Sequence, residues 1–161
     1  GEPRGTRMRV ALPTATFAPK RRAHAVAPVA RRGEGTILVV DDEPLVRRGV
    51  ERALQGAGYR VVTAADGVEA VARYHEHPAE ICAGVPDLVM PRRGGRETYL
   101  ELRAIEPGVK VVLISGHALN EQVQGILDLG VAAFLPKPFG VEELTAALAE
   151  LLHPGSAPPP A

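Results

Sequence analysis

Thr36-Ile37-Leu38-Val39-Val40-Asp41-Asp42-Glu43 is an unbroken run of β-branched and apolar residues that ends abruptly in three carboxylates. An apolar run without alternation suits a strand covered on both faces, and the acids mark the point where it leaves the core. The chain then turns helical. From Pro44 to Gly56, Val46, Val50, Ala53 and Leu54 recur at helical spacing. Pro44 suits a first helical turn, and Gly56 and Gly58 suit its end.

Working outward, the strand–helix unit repeats. Arg60–Ala64 is a second strand, and Asp66-Gly67-Val68-Glu69 reads as an N-cap with a capping-box glutamate opening a helix to about Glu76. Ile81–Pro86 is a poor strand candidate, because Gly84 weakens a strand and Pro86 has no N–H for a ladder. Glu97–Glu106 is a helix carrying Leu100, Leu102 and Ile105, and Lys110–Ile114 is a buried strand. Asn120 can cap a helix running through Val123, Ile126 and Leu127. Ala132–Leu135 is a short strand, and Val141–Leu152 is a helix with Val141, Leu144, Leu148 and Leu151 on one stripe. Five strands alternating with five helices predict an α/β fold, a doubly wound parallel sheet with helices on both faces.

Composition agrees with one ordinary globular domain: 161 residues, 45% hydrophobic and 24% charged. No apolar run approaches the roughly 20 residues of a membrane span, and no apolar stretch near the N-terminus suits a secretory signal. The single cysteine, Cys82, excludes an intrachain disulfide and a cysteine-rich zinc cluster, and points to a reducing, cytoplasmic compartment. His75 and His77, two apart, do not share a helix face and make a poor metal pair. The net charge of zero is the sum of two unlike parts. Residues 1–35 hold eight Lys/Arg and two acids, +6; the remainder holds eleven basic and seventeen acidic residues, −6. Residues 14–35, with Pro19 and Pro28 and no apolar period, read as a basic solvated linker. No aromatic interleaves the basic residues past Phe17, so direct nucleic-acid contact is not expected, nor is membrane contact. Residues 154–161 read as an unpacked tail rich in Pro and Ala.

In parallel sheets of this kind, polar function gathers at the carboxyl ends of the strands. There the sequence puts Asp41, Asp42 and Glu43 after the first strand, Asp87 after the third, Ser115 after the fourth and Lys137 after the fifth. Clustered carboxylates repel one another unless a cation sits among them, and hard oxygen ligands around a partly hydrated site suit Mg²⁺. A central carboxylate can then act as a nucleophile toward phosphorus, with a lysine and a hydroxyl to neutralise and bind the phosphoryl oxygens. Taken singly, each residue has a plainer reading: Asp42 or Glu43 as a helix cap, Asp87 as a turn cap.

Residues 36–152 resemble the receiver domain of two-component response regulators. The matching segments are Ile37–Glu43, Asp87-Leu88-Val89-Met90-Pro91 with Gly95 beyond it, Val112-Leu113-Ile114-Ser115-Gly116, and Pro136-Lys137-Pro138-Phe139. The resemblance implies the flavodoxin-like strand order 2-1-3-4-5 and phosphoryl transfer from a phosphohistidine to Asp87. It also implies Mg²⁺ held by Asp41, Asp42, Asp87 and the backbone carbonyl of Val89. Lys137 would contact the phosphoryl group beside a cis bond to Pro138, Ser115 and Phe134 would form the switch pair, and Gly116 would leave the pocket open. The implied partners are a histidine kinase or a histidine phosphotransfer protein, with a weak homodimer as a further option. Pro86, Gly84 and Arg93 depart from the family pattern, and Pro86 and Gly84 raise the alternative of a pseudo-receiver that binds partners without phosphorylation. A phosphohydrolase of the haloacid dehalogenase kind needs a second Asp where Val89 stands, and a flavodoxin needs a phosphate loop where Asp41–Glu43 would repel phosphate. Separately, Arg4–Pro13, with Gly5-Thr6 and Leu12-Pro13, resembles the last strand of a histidine-kinase ATP-binding domain, which would make the chain the C-terminal receiver of a hybrid sensor kinase.

Overall fold

The computed structural model describes residues 33–116 and 121–154. The kinase-like strand at 1–13, most of the linker, the Asn120 cap and the tail beyond 154 lie outside the described residues. Ten elements alternate: β1 Thr36–Val40, α1 Pro44–Gly56, β2 Arg60–Ala64, α2 Gly67–Glu76, β3 Ile81–Pro86, α3 Gly95–Ile105, β4 Val112–Ser115, α4 Glu121–Leu127, β5 Ala133–Pro136 and α5 Val141–Leu152.

The local signals act as expected at the first helix. Pro44 opens α1, and Gly58 closes it with φ 100°. The amide of Gly58 donates to the Gln55 carbonyl and that of Tyr59 to the Leu54 carbonyl, both at 3.0 Å. This pairing satisfies two carbonyls that a helix end would otherwise orphan. Asp66 caps α2 by accepting from the amides of Val68 (2.8 Å) and Glu69 (3.0 Å). The Glu69 side chain reaches back one residue further than a capping box requires, to the amide of Ala65 at 2.8 Å.

All strand pairs are parallel. β1 pairs with β2 on one side and β3 on the other, and β4 pairs with β5. The two ladders meet through isolated bridges, Gly84 to Val111 and Asp87 to Ile114, which gives the order 2-1-3-4-5. The thin seam has a cause in the sequence. Gly84 donates to the Lys110 carbonyl (2.9 Å) and Leu88 to the Ile114 carbonyl (2.7 Å). Alternation then sets the nitrogen of Pro86 opposite the carbonyl of Val112, and proline has no hydrogen to give. The register shift in β3 lies at its other end, between the partners of Thr36 and Ile37.

The sheet is covered on both faces. Ile37, Val39, Val85 and Ile114 pack with Val50 and Leu54 of α1 and Leu144 and Leu148 of α5. On the opposite face Leu38 and Val40 pack with Ala70 and Tyr74 of α2 and Leu102 of α3, while Val111 and Leu113 pack with Tyr99 of α3 and Ile126 of α4. At the amino ends of the strands lies a hollow of about 340 Å³, bordered by Glu34, Cys82, Lys110 and His153 among others. Among the described residues no helix is long and apolar enough to cross a membrane.

Candidate functional site

At the carboxyl ends of the strands the structure brings the expected acids together. Oxygen atoms of Asp41, Asp42 and Asp87 lie within 4.8 Å of one another. Asp41 and Asp87 are buried, 4% and 8% exposed, whereas Asp42 faces solvent. Asp41 and Asp87 are placed by backbone bonds. Asp41 follows β1 and its amide donates to the Ala64 carbonyl of β2 at 3.3 Å. Its Oδ1 accepts from the amide of Glu43 at 2.8 Å, which orients the carboxylate. Glu43 stands at the N-cap of α1, yet its side chain makes no capping bond, so a capping role does not explain that acid.

Asp87 is held on both sides despite Pro86. Its amide donates to the Val40 carbonyl at 2.8 Å, and the next amide, Leu88, donates to the Ile114 carbonyl at 2.7 Å. The gap left by Pro86 is confined to one ladder position before the acid. The turn after Asp87 is drawn tight by the Gly95 amide, which donates to the Leu88 carbonyl at 2.9 Å. A Cβ at Gly95 would lie 2.5 Å from the Asp87 carbonyl oxygen, so glycine there is a steric requirement of this turn.

Lys137 closes the cluster. Its ammonium donates to Asp87 Oδ2 at 2.8 Å and to Asp41 Oδ2 at 3.0 Å. The backbone locates it, because the Lys137 amide donates to the Ser115 carbonyl at 2.7 Å and the Lys137–Pro138 bond is cis. Partial burial pulls the Lys137 pKa down, but the hydrogen bonds its ammonium donates to Asp87 and Asp41, with the charges of those two acids, outweigh it, and the net direction is upward. Three acids thus meet at one strand edge with oxygen atoms close enough to share a cation, a donor set that suits a hard divalent ion.

Ser115 is fully buried at the end of β4. A Cβ at Gly116 would meet no described atom within 4 Å. Phe134 is half-buried and packs against the cluster of Tyr99, Val111, Leu113, Ile126 and Val131. Val89 is 59% exposed in the loop after Asp87. Arg93, which departs from the apolar residue usual in receivers, pairs with Glu101 of α3 at 2.5 Å, so its charge is met rather than buried alone. Sequence reasoning missed two arginines. Arg47 on α1 donates to the Asp41 carbonyl, and Arg92 pairs with the buried carboxylate of Asp66. Neither sits in a motif that announces it.

The chain belongs to the response regulator receiver domain family, whose match spans residues 37–149. It is 39% identical over 121 residues, 75% of the chain, to the sensor kinase CckA of Brucella abortus, of which the match covers 13%. It is also 39% identical over 118 residues, 73% of the chain, to the response regulator MprA of a Mycobacterium species (strain KMS), of which it covers 50%. The chain thus spans half or less of these curated relatives. Among solved structures, the receiver domain of the sensor histidine kinase PA1611 from Pseudomonas aeruginosa superposes with a TM-score of 0.67 at 30% identity, covering 74% of this chain and 98% of that one; it carries a magnesium ion coordinated in its active-site cleft.

Proposed function

We infer that this chain is a phosphorelay receiver, with Asp87 as its phosphoacceptor. The observation that carries the reading is the arrangement of three carboxylates within 4.8 Å with Lys137 bonded to two of them, at the carboxyl edge of a receiver-family sheet. Asp41, Asp42 and Asp87, with the Val89 carbonyl, would hold Mg²⁺. Bound there, the cation supplies positive charge against which phosphoryl oxygens can settle. The chain's own residues do the rest. A carboxylate oxygen of Asp87 attacks the phosphorus of a phosphohistidine, an O–P bond forms as the P–N bond breaks, and the imidazole leaves with the bonding pair. Lys137 then exchanges part of its bond to Asp87 for a phosphoryl oxygen, and Ser115 offers its hydroxyl to another. Phe134 turns with Ser115 as the switch.

The donor is a histidine kinase or a histidine phosphotransfer protein, in the cytoplasm, and the likeness to CckA supports a place at the C-terminal side of a hybrid kinase. The pseudo-receiver reading rests on Pro86 and Gly84. It is the weaker one, because the hydrogen bonds on either side of Asp87 are intact. Incubation with Mg²⁺ and acetyl phosphate, followed by mass spectrometry, decides between them. The wild-type chain should gain one phosphoryl group and Asp87→Asn none. Equal labelling of both removes Asp87 from the role, and no labelling of the wild type, with no response to beryllofluoride, favours the pseudo-receiver.

A further inference from the structure

The loop between β3 and α3 carries Val89, and it is fastened at its far side by an unusual residue. Arg92 has φ 65°, in the left-handed region. Side chains other than glycine, asparagine and aspartate seldom adopt it, because Cβ crowds the backbone. The strain is held in place by a contact. The Arg92 guanidinium, itself largely exposed, pairs with Oδ2 of Asp66, whose side chain is only 2% exposed. Asp66 has its other oxygen committed to the α2 amides of Val68 and Glu69. One carboxylate therefore caps a helix and grips the loop at once. The buried Asp66 carboxylate takes the Arg92 guanidinium as its charged partner, which gives the loop a fixed point of attachment to α2. α2 is also tightly seated here: a Cβ at Gly67 would lie 2.1 Å from Thr98 Oγ1 of α3, so the anchor cannot slide. The neighbouring Arg93 ties the same loop to Glu101 on α3.

We propose that the Arg92–Asp66 pair is a positioning clasp that fixes the loop 88–95, and with it the Val89 carbonyl, for cation binding. The inference rests on the reading that Asp41, Asp42, Asp87 and Val89 hold Mg²⁺. Arg92 touches neither cation nor phosphoryl group in this scheme; it acts by limiting where the loop can go, as partners outside the ligand shell do in metal sites.

The test uses the full chain in four forms: wild type, Arg92→Gly, Asp66→Asn and the double variant. Arg92→Gly removes the clasp and relieves the left-handed strain, so it should fold at least as well as a simple truncation. Asp66→Asn keeps an oxygen for the α2 cap and loses the charge. Mg²⁺ titrations followed by amide spectra should show each single variant binding roughly tenfold more weakly, at the low end for outer-shell partners. The double variant should be no weaker than the singles, since both remove one interaction. The Gly95 amide should exchange faster with solvent in each variant. Wild-type affinity in Arg92→Gly, together with an unchanged Gly95 exchange rate, overturns the clasp. A wild-type chain that gives no Mg²⁺ response overturns the cation reading and the clasp with it, and that outcome is told apart by the wild-type titration alone.

Discussion

Replacing Pro86 with valine should stabilise the domain by about 1 kcal/mol. The reasoning starts from the seam between β3 and β4. Amides of Gly84 and Leu88 donate across it, and the alternating position between them is proline, facing the carbonyl of fully buried Val112. Restoring an N–H there satisfies a buried acceptor, worth roughly 1–3 kcal/mol. Against this, removing proline frees the unfolded chain and costs about 0.4–1 kcal/mol. The side chain is buried on the Leu38/Val40 face, beside its β1 partner Val40. Valine is close to proline in bulk, and near-isosteric apolar exchanges usually cost under about 1.5 kcal/mol. The balance centres near +1 kcal/mol, or a rise of about 4 °C in melting temperature for a domain of this size. Urea unfolding should give a higher midpoint at unchanged slope. Pro86→Ala, which adds the N–H with less bulk, serves as the control, and the residue-86 amide should be protected from exchange in both variants. If that amide exchanges freely and neither midpoint rises, the carbonyl of Val112 is not waiting for a donor and the account of the seam is wrong.

Gly84→Ala should also stabilise, by about 0.5–1 kcal/mol, since a strand glycine costs that much relative to alanine. A Cβ there meets Val111 Cγ2 at 3.6 Å and Leu102 Cδ1 at 3.8 Å, which is ordinary contact, and a fall in the urea midpoint would show hidden crowding. Asp42→Ala should abolish Mg²⁺ binding and raise the melting temperature of the metal-free protein slightly, by relieving like-charge repulsion; a lower melting temperature with binding intact would make Asp42 a structural residue only. Burial pushes the phenols of Tyr59 and Tyr74 above their ordinary value, with Glu106 adding to the rise at Tyr74. A raised pKa in the fold favours the neutral form, so this stability is complete below about pH 10 and is lost as pH climbs through the folded values. Tyr59→Phe and Tyr74→Phe should each flatten the alkaline fall in unfolding free energy, and an unchanged fall in both would assign it elsewhere.

Where a local signal and the fold agree, the sequence was easy to read. β1, α1, β2, α2, β3 and α5 have the bounds their residues suggest, and Pro44, Gly58 and Asp66 act as start, stop and cap. The differences fall where tertiary packing decides. α3 begins at Gly95 rather than Glu97, because the glycine is needed for the close approach to Asp87 and can sit in the first turn. β4 and β5 each start and end a residue or more later than their apolar runs suggest, with register set by pairing to each other. β3 reads poorly and forms regardless, because β1 pairs with it from Ile81 to Pro86 with a single register shift at Cys82. At the site, Asp41, Asp42, Asp87 and Lys137 were legible because strand ends in a parallel sheet converge. The roles of Arg47 and Arg92 were not. One depends on reaching a backbone carbonyl and the other on a left-handed backbone, and neither leaves a periodic mark.

The hollow at the amino ends of the strands has a further consequence. Glu34, just before β1, and His153, just after α5, both border it, at the pole opposite the carboxylates. The described residues that begin and end the domain therefore sit at one pole, at the strand edge opposite the acids. The domain is wired like a plug with both leads at its base.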